Sequence, residues 1–225
     1  MTGDEALERL HSLANPEARA GMARFGIETG TALGISVPKL RNLAREIGRD
    51  HGLAQELWAS AVHEARILAA LVDDPMLVTE EQMERWVVEI DSWDLCDGVC
   101  SDLFDRTPFA YAKAAEWSAR DPEFGKRAGF VLMAALAIHD KRAPDERFLA
   151  MLPITEREAY DERNFVKKAV NWALRQIGKR NRSLNRAAIE VGERIRSQGS
   201  RAAHWIAADA LRELRSEKVQ ARLKG

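Results

Sequence analysis

The sequence predicts an all-α protein built from short paired helices, on three observations. Apolar residues recur at helical spacing along nearly the whole chain, and no stretch shows the alternation and turn signals of paired strands. Asn15-Pro16, Val37-Pro38, Asp74-Pro75, Thr107-Pro108, Asp121-Pro122 and Ala143-Pro144 each sit where one helix must end or the next begin. A pattern with a polar or basic start and a small, apolar continuation also returns along the chain, about 35–60 residues apart.

The elements follow from that punctuation. A helix over 4–13 stops before Asn15-Pro16, which opens 17–25, and Val37-Pro38 opens 38–50. A longer helix over 53–72 runs up to Asp74-Pro75, and helices over 79–90 and 93–105 lead to Thr107-Pro108. Segment 109–119 closes at Asp121-Pro122, and 123–139 is closed by the turn at Ala143-Pro144. Helices over 145–151, 156–160, 164–180, 184–197 and 200–214 complete the series. The repeated pattern reads Glu64 to Leu71, Lys126 to Leu132, Lys167 to Leu174 and Ala203 to Leu211. Paired helices of that period stack into an α-solenoid with a concave binding face. A compact bundle would show the same periodicity. Either way the expectation is one domain over 1–225.

A chain of 225 residues, 46% hydrophobic and 31% charged, has the composition of an ordinary soluble protein. There is no apolar run of about 18 residues for a membrane span, and the start Met-Thr-Gly-Asp-Glu is too acidic for a secretory signal, so the cytoplasm is expected. Cys96 and Cys100, one helical turn apart, read as buried reduced thiols, and nothing completes a zinc set with them. His63, His139 and His204 have no ligand or triad spacing and read as structural or surface residues. No Gly-rich phosphate loop, nucleophile elbow or metal motif is present, so no metal or cofactor is expected. The net charge of −1 conceals a division: from Arg163 onward there are 16 Lys and Arg against 5 Asp and Glu, and before it 18 against 30. A basic end on an acidic body suits a polyanion partner, although it also describes an uneven solvated surface.

Three constellations are candidates for chemistry. In Asp91-Ser92-Trp93-Asp94-Leu95-Cys96-Asp97, Asp91 or Ser92 is an N-cap and Trp93 and Asp97 share a helix face at i,i+4. That face borders the apolar arc of Leu95, Cys96, Val99, Cys100, Leu103 and Phe104, while Asp94, Asp102 and Asp105 are expected to face water. A carboxylate at such a margin is costly unless partnered or used, the plainer use being a cap or an ion pair. In helix 164–180, Val166, Ala169, Val170, Ala173, Leu174 and Ile177 form the buried stripe, and Lys168, Trp172, Arg175 and Lys179 fall opposite, widened by Arg163, Lys167, Arg180 and Arg182. Indole among cations suits a sugar-phosphate backbone, and equally a surface helix with a loosely packed Trp. Lastly, Lys126-Arg127 opens a helix where the dipole disfavours cations, so Arg127 should meet an anion, either an aspartate of a neighbouring repeat or a phosphate.

Taken in order, Leu33 to Arg41, Ser92 to Asp97, Lys126-Arg127 and Phe165 to Arg175 resemble the AlkD-like DNA alkylation-repair glycosylases over about residues 20–215. The resemblance implies a HEAT-like solenoid with a concave, basic face for duplex DNA, acting without base flipping. It makes Asp97 the catalytic carboxylate, Trp93 and Trp172 aromatic walls against the lesion's sugar, and Arg127 a phosphate ligand. Lys126, Lys168, Arg175, Lys179 and Arg180 complete the expected DNA contacts, and a monomer acting on cationic N3- or N7-alkylpurines in double-stranded DNA is the implied enzyme. A non-catalytic binder of DNA structures and a helical-repeat scaffold for an acidic protein are the competing functions.

Overall fold

The computed structural model describes residues 1–27 and 29–223, and no strand occurs among them. The chain forms two compact units, Met1–Thr107 and Pro108–Gly225.

The first unit holds α1 (Gly3–Ser12), α2 (Pro16–Met22) with a 3-10 turn over Ala23–Phe25, α3 (Val37–Ile47), α4 (His51–Ala59), α5 (His63–Val72), α6 (Glu80–Val88) and α7 (Trp93–Asp102), then a 3-10 turn over Phe104–Arg106. Local chemistry sets the starts. Thr2 and Glu5 form a reciprocal capping box, and Asn15, Asp50 and Thr79 accept from backbone N–H groups of the helices they open. The helix expected over 53–72 is two helices, because the chain reverses at Ala61, which takes a left-handed φ of 57°. Neither Gly nor Pro marks that reversal, and an alanine there costs about 1–2 kcal/mol, offset by the packing of α5 on α4. In the core α5 lies against α3, α4 and α7, and Trp58 stacks on Trp86 at 3.9 Å with the rings 3° from parallel.

Buried Glu64, on α5, accepts from the backbone N–H groups of Leu33 (2.7 Å), Gly34 (2.7 Å) and Ile35 (3.1 Å). A buried carboxylate is tolerable because donors satisfy it, and this one fixes the loop that leads into α3. Gly34 sits at φ +78°, where a Cβ would lie 2.2 Å from the Asn15 carbonyl.

The second unit holds α8 (Ala110–Trp117), α9 (Glu123–His139), α10 (Asp145–Leu149), α11 (Leu152–Arg157), α12 (Asn164–Gly178), α13 (Arg182–Arg196), α14 (Arg201–Leu214) and α15 (Glu217–Gln220). The expected 156–160 segment lies mostly past α11, which begins earlier and carries Pro153 in its first turn. α9 is buried from Gly125 through Ala137, between α8 and α12, as its nearly continuous apolar sequence requires. Gly129 lets it approach the end of α8, since a Cβ there would meet the Ser118 nitrogen at 2.4 Å. α12 packs in turn on α13 and α14. No described helix is long and apolar enough to cross a membrane.

Candidate active site

α7 places the first pair of candidates. Ser92 is extended and helical geometry begins at Trp93, so Trp93 and Asp97 stand one turn apart on the same face, both half-buried. The indole is held from outside its helix: Trp93 Nε1 donates to the Phe25 carbonyl at 2.9 Å. A Cβ on the next residue, Gly98, would meet nothing within 4 Å, so the helix surface beside Asp97 is uncovered.

The acids around Asp97 do not all face water as expected. Asp94 Oδ2 lies 2.9 Å from Nε2 of His63, a residue of α5 that is only 3% exposed. The first turn of α7 packs on α5, which turns Asp94 inward. Burial pushes His63 towards its neutral form, but the hydrogen bond and charge of Asp94, helped by Glu64 and Asp91, outweigh it and raise its pKa above the ordinary value. Burial likewise opposes ionisation of Asp94, and the His63 partnership reverses that too, leaving its pKa lowered. Asp105 is also buried, because α7 ends at Asp102 and the 3-10 turn that follows aims inward. Asp102 itself takes both of its hydrogen bonds from Arg41, at 3.0 Å. Cys96 and Cys100 are free and buried; burial, then Cys96 and the Asp97 and Asp105 carboxylates, push the Cys100 thiol far up and make it unreactive at neutral pH.

α12 carries most of the remaining candidates, and the structure divides the expected cationic face into two rows. Lys168, Trp172 and Gln176 form the outer row: Lys168 is exposed and Trp172 half-buried. With the Gln176 amide oxygen turned towards them, it accepts from Trp172 Nε1 at 2.9 Å and from Lys179 Nζ at 3.2 Å. Asn171, Arg175 and Lys179 form the inner row, facing carboxylates of α14. Asn171 Nδ2 donates to Asp209 at 2.7 Å, Arg175 pairs with Glu213 at 2.6 Å and with Asp209 at 3.4 Å, and Lys179 pairs with Glu213 at 2.8 Å. Burial disfavours the Glu213 carboxylate, and the two cations outweigh it and lower its pKa. Arg180 closes the end of α9 by donating to the Ala137 carbonyl at 2.8 Å, with its guanidinium 3.9 Å over the Phe148 ring.

Lys126 and Arg127 are 6% and 5% exposed. Lys126 Nζ sits 2.8 Å from Glu158 and 3.5 Å from Asp161, and Arg127 Nη1 donates to the Phe165 carbonyl at 2.6 Å, at the start of α12. The Lys126 ammonium is thus held by carboxylates of its own unit. Among the described residues no group of three His, Cys, Asp or Glu side chains could hold a metal ion.

Sequence reasoning missed Phe25, whose ring is 67% exposed while its carbonyl fixes Trp93, and the pairing of His63 with Asp94. A main-chain carbonyl leaves no signal in side-chain patterns. The histidine stands 31 residues before its partner, beyond the reach of helical periodicity.

A model described as DNA alkylation repair enzyme matches residues 6–214. The chain belongs to that family. It is also similar to the uncharacterised protein Lin0241 of Listeria innocua, at 23% identity over 199 residues covering 87% of each chain. Among solved structures it matches, with a TM-score of 0.78, 19% identity and 95% of each chain covered, one from a family described as related to the HEAT-like repeat DNA glycosylases with affinity for branched DNA structures. The fold of this family member is therefore a HEAT-like helical repeat.

Proposed function

We propose that this family member is a monofunctional DNA glycosylase that hydrolyses the N-glycosidic bond of cationic N3- or N7-alkylpurines in duplex DNA without base flipping, acting as a cytoplasmic monomer. The observation that carries the reading is on α7: an indole pinned by the Phe25 carbonyl, with a half-exposed carboxylate one turn further along the same face.

The chemistry follows from the substrate. Alkylation at N3 or N7 places a positive charge on the purine, which becomes a good leaving group needing no general acid. Breaking the bond between the base nitrogen and C1′ leaves oxocarbenium character on the deoxyribose. The Asp97 carboxylate stabilises that charge and orients the water that attacks C1′, and the π-faces of Trp93 and Trp172 add their own attraction for the cation. The carboxylate does the work of its counterpart in sugar hydrolysis. In this reading Lys168 meets phosphate directly, Arg127 ligates a phosphate near the lesion, and the paired Arg175, Lys179, Arg180 and Lys126 shape the surface more than they neutralise DNA.

A second reading, a non-catalytic binder of DNA structures, is favoured by the branched-DNA affinity of the structurally similar family. Release of 7-methylguanine and 3-methyladenine from methylated duplex DNA, wild type beside Asp97→Asn, separates the two. Release by wild type alone supports the glycosylase. No release by either protein, with DNA binding intact, supports the binder.

A further inference from the structure

The fourth copy of the repeated pattern, on α14, has no part in the reading above. Its outward face carries Arg201, Trp205, Ala208 and Arg212, three or four residues apart, with His204 beside the ring, while Ala203, Ile206, Ala207 and Ala210 enter the core. Trp205 is 41% exposed, the most exposed of the six tryptophans. It does little for the core. Lys167 of α12 sits with Nζ 5.7 Å from the ring centroid, and the small Ala208, one turn on, leaves the ring's flank low.

Cations surround this indole. The Arg201 side chain is 95% exposed and only loosely paired, 4.0 Å from Glu162, while Arg212 is 76% exposed and bonded to Asp209. Asp209 already takes Asn171 and Arg175 from α12. Trp205 is the only large hydrophobic on the outward face of α14, set among Arg201, His204, Ala208 and Arg212, which is a single indole in polar surroundings and not the broad apolar patch of a protein partner. An indole with the Lys167 ammonium over one face and Arg201 one turn before it matches a nucleic-acid strand, the open face taking a base and the cations the flanking phosphates. Bases in an intact duplex are already stacked, so the base must be unpaired.

We propose that Trp205, with Lys167 and Arg201, is a stacking platform for an unpaired base of DNA, one helix beyond Trp172. The inference rests on the chain being a DNA-binding protein, not on its being a glycosylase. The test is fluorescence anisotropy with two dye-labelled DNAs, a blunt hairpin duplex and the same duplex carrying a single-stranded tail. Trp205→Ala is expected to weaken tailed DNA about tenfold, in the range of one lost base–aromatic stack, and to leave the blunt duplex within about twofold. Trp205→Phe, which keeps a π-face, should restore most of the loss, and Lys167→Gln should lower the salt slope on tailed DNA by about 0.7. Equal weakening on both DNAs, no weakening on either, or no DNA binding by wild type would overturn the platform. Base release from methylated duplex keeps the two proposals apart. Wild type that releases no base yet shows the Trp205-dependent preference for a tail would leave the platform standing and remove the glycosylase.

Discussion

Two half-buried tryptophans, Trp93 on α7 and Trp172 on α12, are fixed in opposite ways. The Trp93 N–H reaches a backbone carbonyl 68 residues earlier, whereas the Trp172 N–H is satisfied four residues along its own helix by Gln176. The first ring keeps its orientation only while the N-terminal helices are in place; the second keeps it as long as α12 is helical. Their surroundings differ as well. Beside Trp93 lies a carboxylate on a helix whose other acids, Asp94 and Asp102, meet His63 and Arg41, and beside Trp172 lie cations that the structure has sorted into one exposed lysine and a row paired with α14. The comparison separates a ring held by a distant segment of chain from a ring held by its own helix, two kinds that look alike in sequence.

The contrast is testable, beginning with the largest effect. Asp97→Asn should lower the single-turnover rate of alkylpurine release about a thousand-fold, while anisotropy shows an unchanged affinity for duplex DNA. A wild-type rate in that variant would remove α7 from the chemistry. Lys126→Met, in contrast, should act on stability: it leaves the buried Glu158 and Asp161 with only Arg157 and Arg163 and should lower unfolding free energy by about 2 kcal/mol in urea titration. If it instead weakens DNA binding with no change in stability, Lys126 belongs with the phosphate contacts.

His63→Gln should cost about 1.5 kcal/mol near pH 6, with a definite pH signature. Because the folded pKa of His63 is raised, its contribution is complete below the ordinary value of 6.5 and is lost as pH rises through the folded value. Asp94, with a lowered pKa, contributes fully above its ordinary 3.8 and loses that contribution as pH falls through its folded value. The difference in melting temperature between wild type and His63→Gln should therefore be greatest between those limits and narrow at alkaline pH. A difference that is flat from pH 5 to 9 would show that the histidine is never charged. The smallest effect separates the two rows of α12. Lys168→Gln should reduce the salt slope of duplex binding by about 0.9, and Arg175→Gln should leave it unchanged because Arg175 already faces Glu213. Equal slopes for the two variants would erase the distinction between the rows.

How much of this was legible in the sequence depends on the range of the forces involved. Helix type and most boundaries were legible because caps and X-Pro steps act over a few residues: the helix expected over 123–139 is α9 to the residue. The reversal at Ala61 was not, because tertiary packing imposes a left-handed alanine that local chemistry disfavours. Trp93 and Asp97 could be placed on one face from their spacing alone. The fate of each cation could not, since Arg175 and Lys179 differ from Lys168 only in facing α14, and a partner 34–38 residues away is invisible to helical periodicity. The inward turn of Asp94 was missed for the same reason.

The Glu64 clamp has an evolutionary consequence. It grips the peptide N–H groups of Leu33, Gly34 and Ile35, which every residue but proline carries, so it constrains descendants of this sequence by exclusion. Proline at any of the three positions deletes a donor and strands part of a buried charge, and at residue 34 every side chain is barred by the Asn15 carbonyl. The identities of residues 33 and 35 are otherwise open to drift as far as the clamp is concerned. The path of this loop should outlast its wording, and Glu64 should change more slowly than the residues it holds.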